Sequence, residues 1–446
     1  MTSRTAAVVC TTLLVLGVGA TGCSAGGGGD APEAAPSAPA SSTKGAASAA
    51  PTAGPEPVAS CATTPPAGRL PASFWGMHVS QPIGADFPQA PIAAVNLTTA
   101  QTYWNIVETA PGQYDFARLD DIVSNSESRG AQPMVVLGFT PTFHAKNPAS
   151  PTAAATMPDI AAWRAWVTAV VGRYGDRLDY QVWPEPNIVS NFSGTPAQMA
   201  RLTVIAGGII HAKAPDALVV APATTLRLES QQQWMDRFWG SEVDGAPVAD
   251  SVDAVALDPF PLQDGTPEDS LDLLCTARGI LADHDVDLPL WTNEINYGVP
   301  SGGTSDVKPY PDAQQVAVVG RTFVLHAAVG IDRVYWLGWF SYPALAVSMA
   351  RVGVAPTPAG RAYTVVHDWL AGSPRPVCEV EKGLYTCLVD QGDTVLRILW
   401  REKGTARVAA SDGATRLRLL SGEDRRISGG DPVRVGQSPV AIVEPA

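Results

Sequence analysis

Short apolar runs alternate with amphipathic stretches between about Leu70 and Leu370, and this alternation is the main pattern of the chain. The apolar runs predict strands at Phe74–Val79, Ala94–Thr98, Gln132–Leu137, Leu178–Trp183, Leu218–Ala221, Val252–Leu257, Pro289–Asn293 and Val334–Trp339. Amphipathic helix patterns include Leu119–Arg129, Ile160–Tyr174, Pro196–Ala214, Ser270–His284, Ala313–Val329 and Gly360–Leu370. Such β/α units predict an α/β fold, a (β/α)8 TIM barrel over residues 68–371. The alternative, an open doubly wound sheet, would need a glycine-rich phosphate loop after an early strand, and the sequence has none.

The pattern changes after Ala371, where short β-type segments are separated by Gly, Asp and Ser turns. They are Val377–Val380, Leu384–Val389, Thr394–Trp400, Ala406–Ala410, Thr415–Leu420, Asp431–Val435 and Pro439–Val443. We expect residues 372–446 to form a small, sandwich-like all-β domain. No segment in it resembles a dedicated binding motif, so we assign it a structural role.

The first 23 residues predict an export signal rather than a structural element. Arg4 precedes the apolar run Val8–Val18, which is too short to span a membrane. The run ends in Ala20-Thr21-Gly22-Cys23, which resembles a bacterial lipoprotein cleavage box in which Cys23 becomes lipidated. The alternative is an ordinary secretory signal that is cut at a nearby small residue. Both interpretations place the protein outside the cytoplasm, and the first anchors it to the outer face of a bacterial cell membrane.

Residues 24–67 are dominated by Ala, Pro, Ser, Gly and Thr, and this composition predicts a disordered tether. The rest of the 446-residue chain differs, since hydrophobic residues make up 46% of the whole sequence. Lys and Arg number 30 against 43 Asp and Glu, giving a net charge of −13, which argues against a nucleic-acid partner. We expect a monomer that contacts the membrane only through its lipid, with no metal and no cofactor.

Four cysteines remain after Cys10 leaves with the signal and Cys23 takes the lipid. An even number in an exported chain suggests disulfides, and three pairings are possible in principle. Cys378 and Cys387 flank a predicted hairpin, so we expect them to pair. Cys61 with Cys275 then follows by elimination and would attach the end of the tether to the barrel. A zinc site is a weaker alternative because there is no C-x-x-C motif and His is sparse.

Two glutamates follow apolar strands at the same predicted rim of the barrel. Glu185 ends the fourth strand segment within Tyr180–Asn187, and Glu294 ends the seventh within Leu290–Gly298. In a TIM barrel the reacting groups lie where the strands end. Two carboxylates facing each other across a cleft are what retaining glycoside hydrolysis needs. Each glutamate alone would be interpreted as a solvated loop residue, and their joint placement favours a catalytic pair.

Several segments in this order resemble a clan A glycoside hydrolase, nearest to family 39 and its bacterial relatives. They are Tyr103–Glu108, Pro111–Phe116, Val135–Pro141, Val182–Asn187 and Trp291–Glu294, and together they span most of Phe74 to Leu370. The resemblance implies that Glu185 is the acid/base, that Glu294 is the nucleophile, and that the anomeric configuration is retained.

The sequence departs from that family at three positions. Pro184 stands where the family has an Asn that contacts the sugar 2-hydroxyl. The sixth strand ends in Leu257-Asp258-Pro259-Phe260 instead of a His and Tyr pair, and Thr98-Thr99 lacks the Arg of the second strand. These changes imply either a different sugar, bound in another way, or an impaired enzyme.

Further residues near the strand ends are candidates for substrate contacts. Aromatic side chains stack on sugar rings, and the chain has 12 Trp. The aromatic candidates are Trp75, Trp104, Trp183, Tyr297, Trp336 and Trp339, and the polar ones are His78, Asn187, Asp258 and Asn296. Trp183 and Trp336 would equally well pack the barrel, His78 would equally well be a structural histidine, and Asp258 would also fit a loop cap. Gly298–Pro309 predicts a mobile loop over the site or a plain surface loop.

The leading hypothesis is a lipid-anchored retaining glycosidase that acts on a cell-surface or environmental polysaccharide. A non-catalytic glycan-binding lipoprotein on a degenerate barrel is the alternative, because of Pro184 and Asp258. A solute-binding lipoprotein would have two lobes of open sheet, which the eight-unit pattern disfavours. The separation of the Glu185 and Glu294 carboxyl groups distinguishes the first two hypotheses.

Overall fold

The computed structural model describes residues 55–58, 68–80, 87–300, 307–340, 344–351 and 355–446. The predicted signal, Cys23, most of the tether, Cys61 and the centre of the predicted 298–309 loop lie outside these residues. Helices long and apolar enough to cross a membrane are absent from the described ranges.

Eight parallel strands form the predicted barrel sheet. They are Trp75–His78 (β1), Ala94–Asn96 (β2), Gln132–Val136 (β3), Asp179–Gln181 (β4), Val219–Val220 (β5), Val255–Asp258 (β6), Leu290–Ile295 (β7) and Arg333–Trp336 (β8). Neighbours pair in the order β5-β4-β3-β2-β1-β8-β7-β6, and a two-residue strand, Thr224–Thr225, adds beyond β6. The sheet closes because the Ala221 amide donates to the Ala254 carbonyl at 2.9 Å and the Asp253 amide donates to the Val219 carbonyl at 2.7 Å. This arrangement fits the predicted (β/α)8 barrel.

Seven helices follow the strands from β2 onward. They are Ala117–Glu127 (α1), Ile160–Tyr174 (α2), Pro196–Lys213 (α3), Glu229–Trp239 (α4), Pro267–Asp283 (α5), Asp312–Ala328 (α6) and Pro358–Leu370 (α7). Side chains that accept from backbone amides cap the first turn of several of these helices. Thr195 accepts from the Gln198 amide at the start of α3, and Thr266 accepts from the Asp269 amide at the start of α5. Each of these helices also has proline in its first turn, where no intrahelical N–H is needed.

Short elements complete the barrel loops. They are a four-residue helix, Trp104–Val107, the strand pairs Glu108–Ala110 with Gln113–Tyr114 and Glu242–Val243 with Ala246–Pro247, and the 3-10 turns Ala72–Phe74, Thr142–His144, Ala153–Ala155, Gly175–Arg177 and Val248–Ser251.

The barrel has two apolar layers, one inside the sheet and one between the sheet and the helices. The inner layer includes Met134, Trp291 and Tyr335, and the Arg333 guanidinium lies 3.8 Å from the centre of the Trp291 ring. Arg333 also forms a buried ion pair with Asp179 at 2.8 Å. A Cβ atom on Gly76 would come within 2.6 Å of the Tyr335 ring, so only glycine fits at that inward position of β1.

The C-terminal segment forms antiparallel strands, as expected. They are Val377–Glu381 (β9), Leu384–Asp390 (β10), Thr394–Arg401 (β11), Ala406–Ala409 (β12), Arg416–Leu419 (β13), Asp424–Arg426 (β14), Pro432–Val435 (β15) and Val440–Pro445 (β16). The main sheet has the order β9-β10-β11-β16-β13-β14, and β12 pairs with β15. Cys378 and Cys387 are directly opposite each other on β9 and β10 and form the predicted disulfide.

This β domain packs on the barrel around one partly buried glutamate. Glu268 in α5 accepts from the Trp400 indole of β11 at 2.9 Å and pairs with Arg321 of α6. The domain is also extended by Glu56–Pro57, which pairs with β9. That short strand belongs to the segment predicted as a tether, and it is ordered here because the edge of the open sheet offers it unpaired backbone groups.

Candidate active site

Three acidic side chains converge at the carboxyl end of the barrel. Glu185 follows β4, Asp258 is the last residue of β6, and Glu294 lies within β7. One carboxylate oxygen from each of them lies within 4.8 Å of the corresponding oxygens of the other two. The side chains are buried, with residue exposures of 7%, 1% and 8%. The predicted catalytic pair is therefore accompanied by a third carboxyl group.

Backbone irregularities aim two of these side chains. The pairing register of β7 with β8 shifts between Thr292 and Ile295, so the strand loses strict alternation just where Asn293 and Glu294 lie. Glu185 has a φ of 41°, a left-handed conformation that is strained for a non-glycine residue. Strain of this kind concentrates at functional sites, where the surrounding structure holds it in place.

The loop beside Glu185 is tightly packed. A Cβ atom on Gly138 would lie 2.9 Å from Pro184 Cδ and 3.0 Å from the Trp183 ring. Phe139, which follows Gly138 at the end of the neighbouring strand, also has a left-handed φ of 66°. Pro184 thus fills space against the end of β3, and its position at the rim is set by packing rather than by a polar contact.

Glu185 has a perturbed acidity. Burial raises its pKa to about 7, while the charge of Arg227 and a hydrogen bond from Asn191 oppose the rise. Asn191 Nδ2 donates to Glu185 Oε2 at 3.2 Å. The other oxygen, Oε1, has no hydrogen-bond partner within the described part of the chain. Glu185 is therefore a buried carboxyl group that keeps a large fraction of its protonated form at neutral pH and has one oxygen without a partner among the described residues.

The two other carboxyl groups are shifted in the same direction. Burial raises the pKa of Glu294 well above its usual value, and repulsion from Glu185 adds to the effect. Burial also raises the pKa of Asp258, as do the nearby charges of Glu294 and Glu185. Like charges this close in a water-poor site cannot all ionise, so the cluster retains protons that isolated carboxyl groups would lose.

A chain of amides orients the third carboxyl group. Thr98 donates from both its amide and its hydroxyl to Asn96 Oδ1, at 2.8 and 2.6 Å. Asn96 Nδ2 donates to Asn293 Oδ1 at 2.9 Å, and Asn293 Nδ2 donates to Asp258 Oδ1 at 3.3 Å. Because the Oδ1 atoms of Asn96 and Asn293 each accept a hydrogen bond, the orientation of both side-chain amides is fixed. Asp258 Oδ2 has no hydrogen-bond partner among the described residues.

His78 is the one predicted polar contact besides Asp258 that joins this network. Its Nε2 lies 2.8 Å from the Asn293 carbonyl, which only accepts, so Nε2 is the donor. Burial lowers the pKa of His78 to about 4, against the effect of that hydrogen bond. The ring is thus neutral, and Nδ1 is a bare acceptor without a partner among the described residues.

All six aromatic candidates require a correction, because they are buried in the apolar core. Trp75 and Trp336 both stack on Phe323 of α6. The Tyr297 hydroxyl forms a hydrogen bond with the Thr322 hydroxyl at 2.6 Å. Trp104 stacks on Trp166 of α2 and donates to Glu108, and Trp183 packs on Phe192. They lie between the sheet and the helices or under the loops, and none forms a rim. Trp183 has an indirect role, since its indole donates to the Asn191 carbonyl at 2.9 Å. Trp339 follows β8, is 1% exposed, and its backbone amide donates to the His78 carbonyl at 3.1 Å.

Asn187 and Asn296, predicted as sugar contacts, are occupied by structural hydrogen bonds. Asn187 Nδ2 donates to the Thr225 carbonyl at 2.8 Å, and its Oδ1 accepts from Thr225. Asn296 Nδ2 donates to the Leu337 and Val347 carbonyls, at 2.9 and 3.0 Å. Both residues therefore hold loops in place around the site.

The exposed rim is apolar but mostly not aromatic. The large hydrophobic side chains exposed on the described part of the barrel all lie on loops after strand ends, namely Ile106, Phe143, Val189, Leu228 and Leu262. Val189 is the most exposed of these, at 72%, and lies four residues beyond Glu185.

Arg227, Asn191, Asn96 and Asn293 were not predicted as site residues. Asn293 lies next to Glu294 in the motif Trp291–Glu294, and Asn96 ends β2, so strand-end position alone would have indicated both. Arg227 comes from the loop after Thr224–Thr225, a position that only the folded chain reveals. The geometry of Glu185, Asp258 and Glu294 would also suit a metal ion, although no metal was expected.

The sequence matches no protein-family model and no curated protein. Solved structures share the fold. A family 39 glycoside hydrolase from Bacteroides cellulosilyticus is 17% identical, with a TM-score of 0.63 over 84% of this chain and 81% of that one. A glucosidase from Croceicoccus marinus is 15% identical, with a TM-score of 0.58 over 88% and 97%. A monomeric β-xylosidase from Caulobacter crescentus is 14% identical, with a TM-score of 0.58 over 85% and 98%. The chain therefore shares its fold with these glycoside hydrolases.

Proposed function

We propose that the protein is a retaining glycoside hydrolase with Glu185 as acid/base and Glu294 as nucleophile. The observation that carries the proposal is the approach of their carboxylate oxygens to within 4.8 Å at the ends of β4 and β7. Retaining enzymes hold the two carboxyl groups about 5–5.5 Å apart, whereas inverting enzymes need about 6.5–9.5 Å to admit water. The short separation supports direct attack by a carboxylate.

The form of the site that reacts has Glu294 ionised and the proton on Glu185; in the first step, Glu294 attacks the anomeric carbon as the bond to the leaving oxygen breaks. Protonated Glu185 gives its proton to that oxygen, and a glycosyl ester forms on Glu294. In the second step, Glu185 takes a proton from water, the water oxygen attacks the anomeric carbon, and the ester bond breaks. Both carboxyl groups return to their starting states, and two inversions give net retention.

The surroundings of Glu185 suit this double role. A pKa near 7 keeps a large fraction of the acid form at neutral pH. Once Glu294 carries the sugar as a neutral ester, its charge no longer opposes the ionisation of Glu185. The pKa of Glu185 then falls, and the same group becomes the base of the second step.

A carbohydrate substrate is supported by the neighbours in fold, which are named as a glucosidase and a β-xylosidase. Export and anchoring through Cys23 remain part of the proposal, and they direct the enzyme toward a cell-surface or environmental polysaccharide. A non-catalytic glycan-binding role receives less support. Strain at Glu185 and burial of three carboxyl groups both cost stability, and simple binding gives no reason to maintain them.

The test is a screen of aryl glycosides and wall polysaccharides, followed by variants on whatever substrate is cleaved. We expect Glu294→Gln to abolish turnover because an amide does not form the glycosyl ester. Glu242→Gln, which changes an exposed glutamate on a distant hairpin, is the matched control and keeps wild-type activity. Near wild-type turnover by Glu294→Gln would exclude the assigned role.

A further inference from the structure

Asp258 has no task in the double displacement. That reaction uses one acid/base and one nucleophile, yet a third carboxylate oxygen lies within 4.8 Å of both. Asp258 is 1% exposed, and its Oδ2 has no partner among the described residues. A buried polar atom without a partner costs free energy, so a ligand group that satisfies Oδ2 would gain from that contact.

The charges around Asp258 indicate the sign of the missing group. Its charged neighbours are Glu294 and Glu185, and both repel it. Asn293 donates to it as a neutral amide, the Glu294 backbone amide also stabilises its charged form, and His78, bound to the same Asn293, is neutral. The positive charge of Arg227 stabilises the ionised form of Glu185. Within the described residues no cation is assigned to Asp258, so the carboxyl groups, which cannot all ionise in the free protein, would ionise more fully beside a cationic ligand group.

The position of Asp258 indicates which sugar atom it would contact. A nucleophile oxygen lies about 3–3.5 Å from the anomeric carbon in a reactive complex. The anomeric carbon is bonded to the ring oxygen, which carries no hydrogen, and to C2. The substituent on C2 is therefore the nearest donor group that a carboxylate beside Glu294 can reach. Position 184, next to the acid/base, is proline and offers no side-chain donor or acceptor for it.

We propose that the site takes a sugar with a free, protonated amino group at C2, and that this ammonium binds Asp258 Oδ2. The proposal rests on the proposed glycosidase function, because it takes Glu294 as the group that meets the anomeric carbon. An ammonium supplies both a donor for Oδ2 and the missing positive charge. A 2-hydroxyl supplies only the donor, and a 2-acetamido group removes the charge and adds bulk.

Binding and turnover are measured with matched sugars. The probes are oligosaccharides and aryl glycosides of glucosamine and galactosamine, each compared with its N-acetylated form and with its 2-hydroxyl counterpart. Calorimetry gives the affinities of the full chain without requiring turnover. We expect the wild-type protein to prefer the free amine roughly 10- to 100-fold, the range of a hydrogen bond between charged groups.

Asp258→Asn keeps the shape of the side chain and removes its charge, so the preference for the amine should disappear. Asp264→Asn is the matched control, since it makes the same change at an exposed residue of the same loop and should keep the preference. Circular dichroism establishes that each variant is folded. The wild-type protein alone provides a second test, because its preference should fade as the pH rises above the pKa of the sugar amine.

The inference is overturned if the wild-type protein shows no preference for the amine, or if Asp258→Asn retains it. A divalent cation at the three carboxylates is the competing explanation. Tight binding of Ca²⁺ or Mn²⁺ that is lost in Asp258→Asn, together with no amine preference after EDTA treatment, would also overturn it. Cleavage of neutral glycosides without amine preference leaves the glycosidase proposal standing and removes only this one. Amine binding through Asp258 without turnover of any tested glycoside supports the amine site and counts against the glycosidase proposal.

Discussion

Asn293 Nδ2 donates to Asp258 Oδ1 at 3.3 Å, and this contact links the residue before the proposed nucleophile to the third carboxyl group. The same asparagine accepts from Asn96 and, through its backbone carbonyl, from His78. One residue of β7 therefore positions groups from β1, β2 and β6 around Glu294. Its role is to orient these groups rather than to react.

We predict that Asn293→Ala lowers kcat by roughly 10- to 100-fold, because the side chains around Glu294 lose their common partner and the proposed nucleophile is held less firmly. Steady-state kinetics on any substrate found would measure this. Asn125→Ala, at a residue with an exposed side-chain hydrogen bond on α1, is the control. Unchanged kcat in folded Asn293→Ala would show that the amide chain has no positioning role.

Burial of the site should cost stability at high pH. The pKa of Glu185 is raised from 4.5 to about 7 in the folded protein, so folding favours its protonated form. Its contribution to stability is complete below pH 4.5 and is lost as the pH rises through about 7. We therefore predict that Glu185→Gln raises the free energy of unfolding at pH 8, by up to about 3 kcal/mol.

Chemical denaturation at pH 8 and at pH 4.5 measures this effect, and the gain should be much smaller at the lower pH. Glu242→Gln should change little at either pH. A Glu185→Gln protein that is less stable than wild type at pH 8 would contradict the view that the ionised site is unfavourable.

Pro184→Asn should give little gain in activity. Pro184 packs against Gly138, and its place beside the acid/base is fixed by that contact. If the C2 substituent binds Asp258, as proposed, an amide introduced at position 184 finds no sugar hydroxyl to contact. Kinetics on aryl glycosides provide the measurement. A gain of roughly a hundred- to a thousandfold, the value of one good transition-state hydrogen bond, would mean that the site is a degenerate version of an ordinary one.

Peptide mapping without reduction should recover Cys378–Cys387, which the structure pairs across β9 and β10. Cys275 is also disulfide-bonded, and Cys61 is its predicted partner. We expect a cross-linked peptide containing both. A free thiol at Cys61 would refute the predicted attachment of the tether to the barrel.

Much of the barrel was predictable because parallel strands are buried on both faces and appear as apolar runs. Side-chain direction was harder to predict. His78 faces the barrel interior, and Trp75, three residues before it on β1, faces the helices. The alternation of side chains along a strand could have predicted the opposite directions of His78 and Trp75. Trp104 and Trp183 lie outside regular strands, so the direction of their side chains depends on loop geometry.

The convergence of Glu185, Asp258 and Glu294 followed from strand-end position, because the ends of parallel strands meet at one rim. Arg227 and Asn191 could not be predicted in the same way. Each reaches Glu185 from a loop, and the sequence pattern of a loop does not specify its path.

The most direct test of the central claim is to trap the sugar on Glu294. Glu185→Gln should still react with dinitrophenyl glycosides, whose leaving groups need no acid, and should then lose the ester slowly because the base is missing. Mass spectrometry of the rapidly quenched variant, followed by peptide mapping, should find one glycosyl unit on Glu294, using both neutral and 2-amino sugars as donors. Cleavage without any adduct and with inverted product, or an adduct on another residue, would contradict the assignment of Glu294 as the nucleophile.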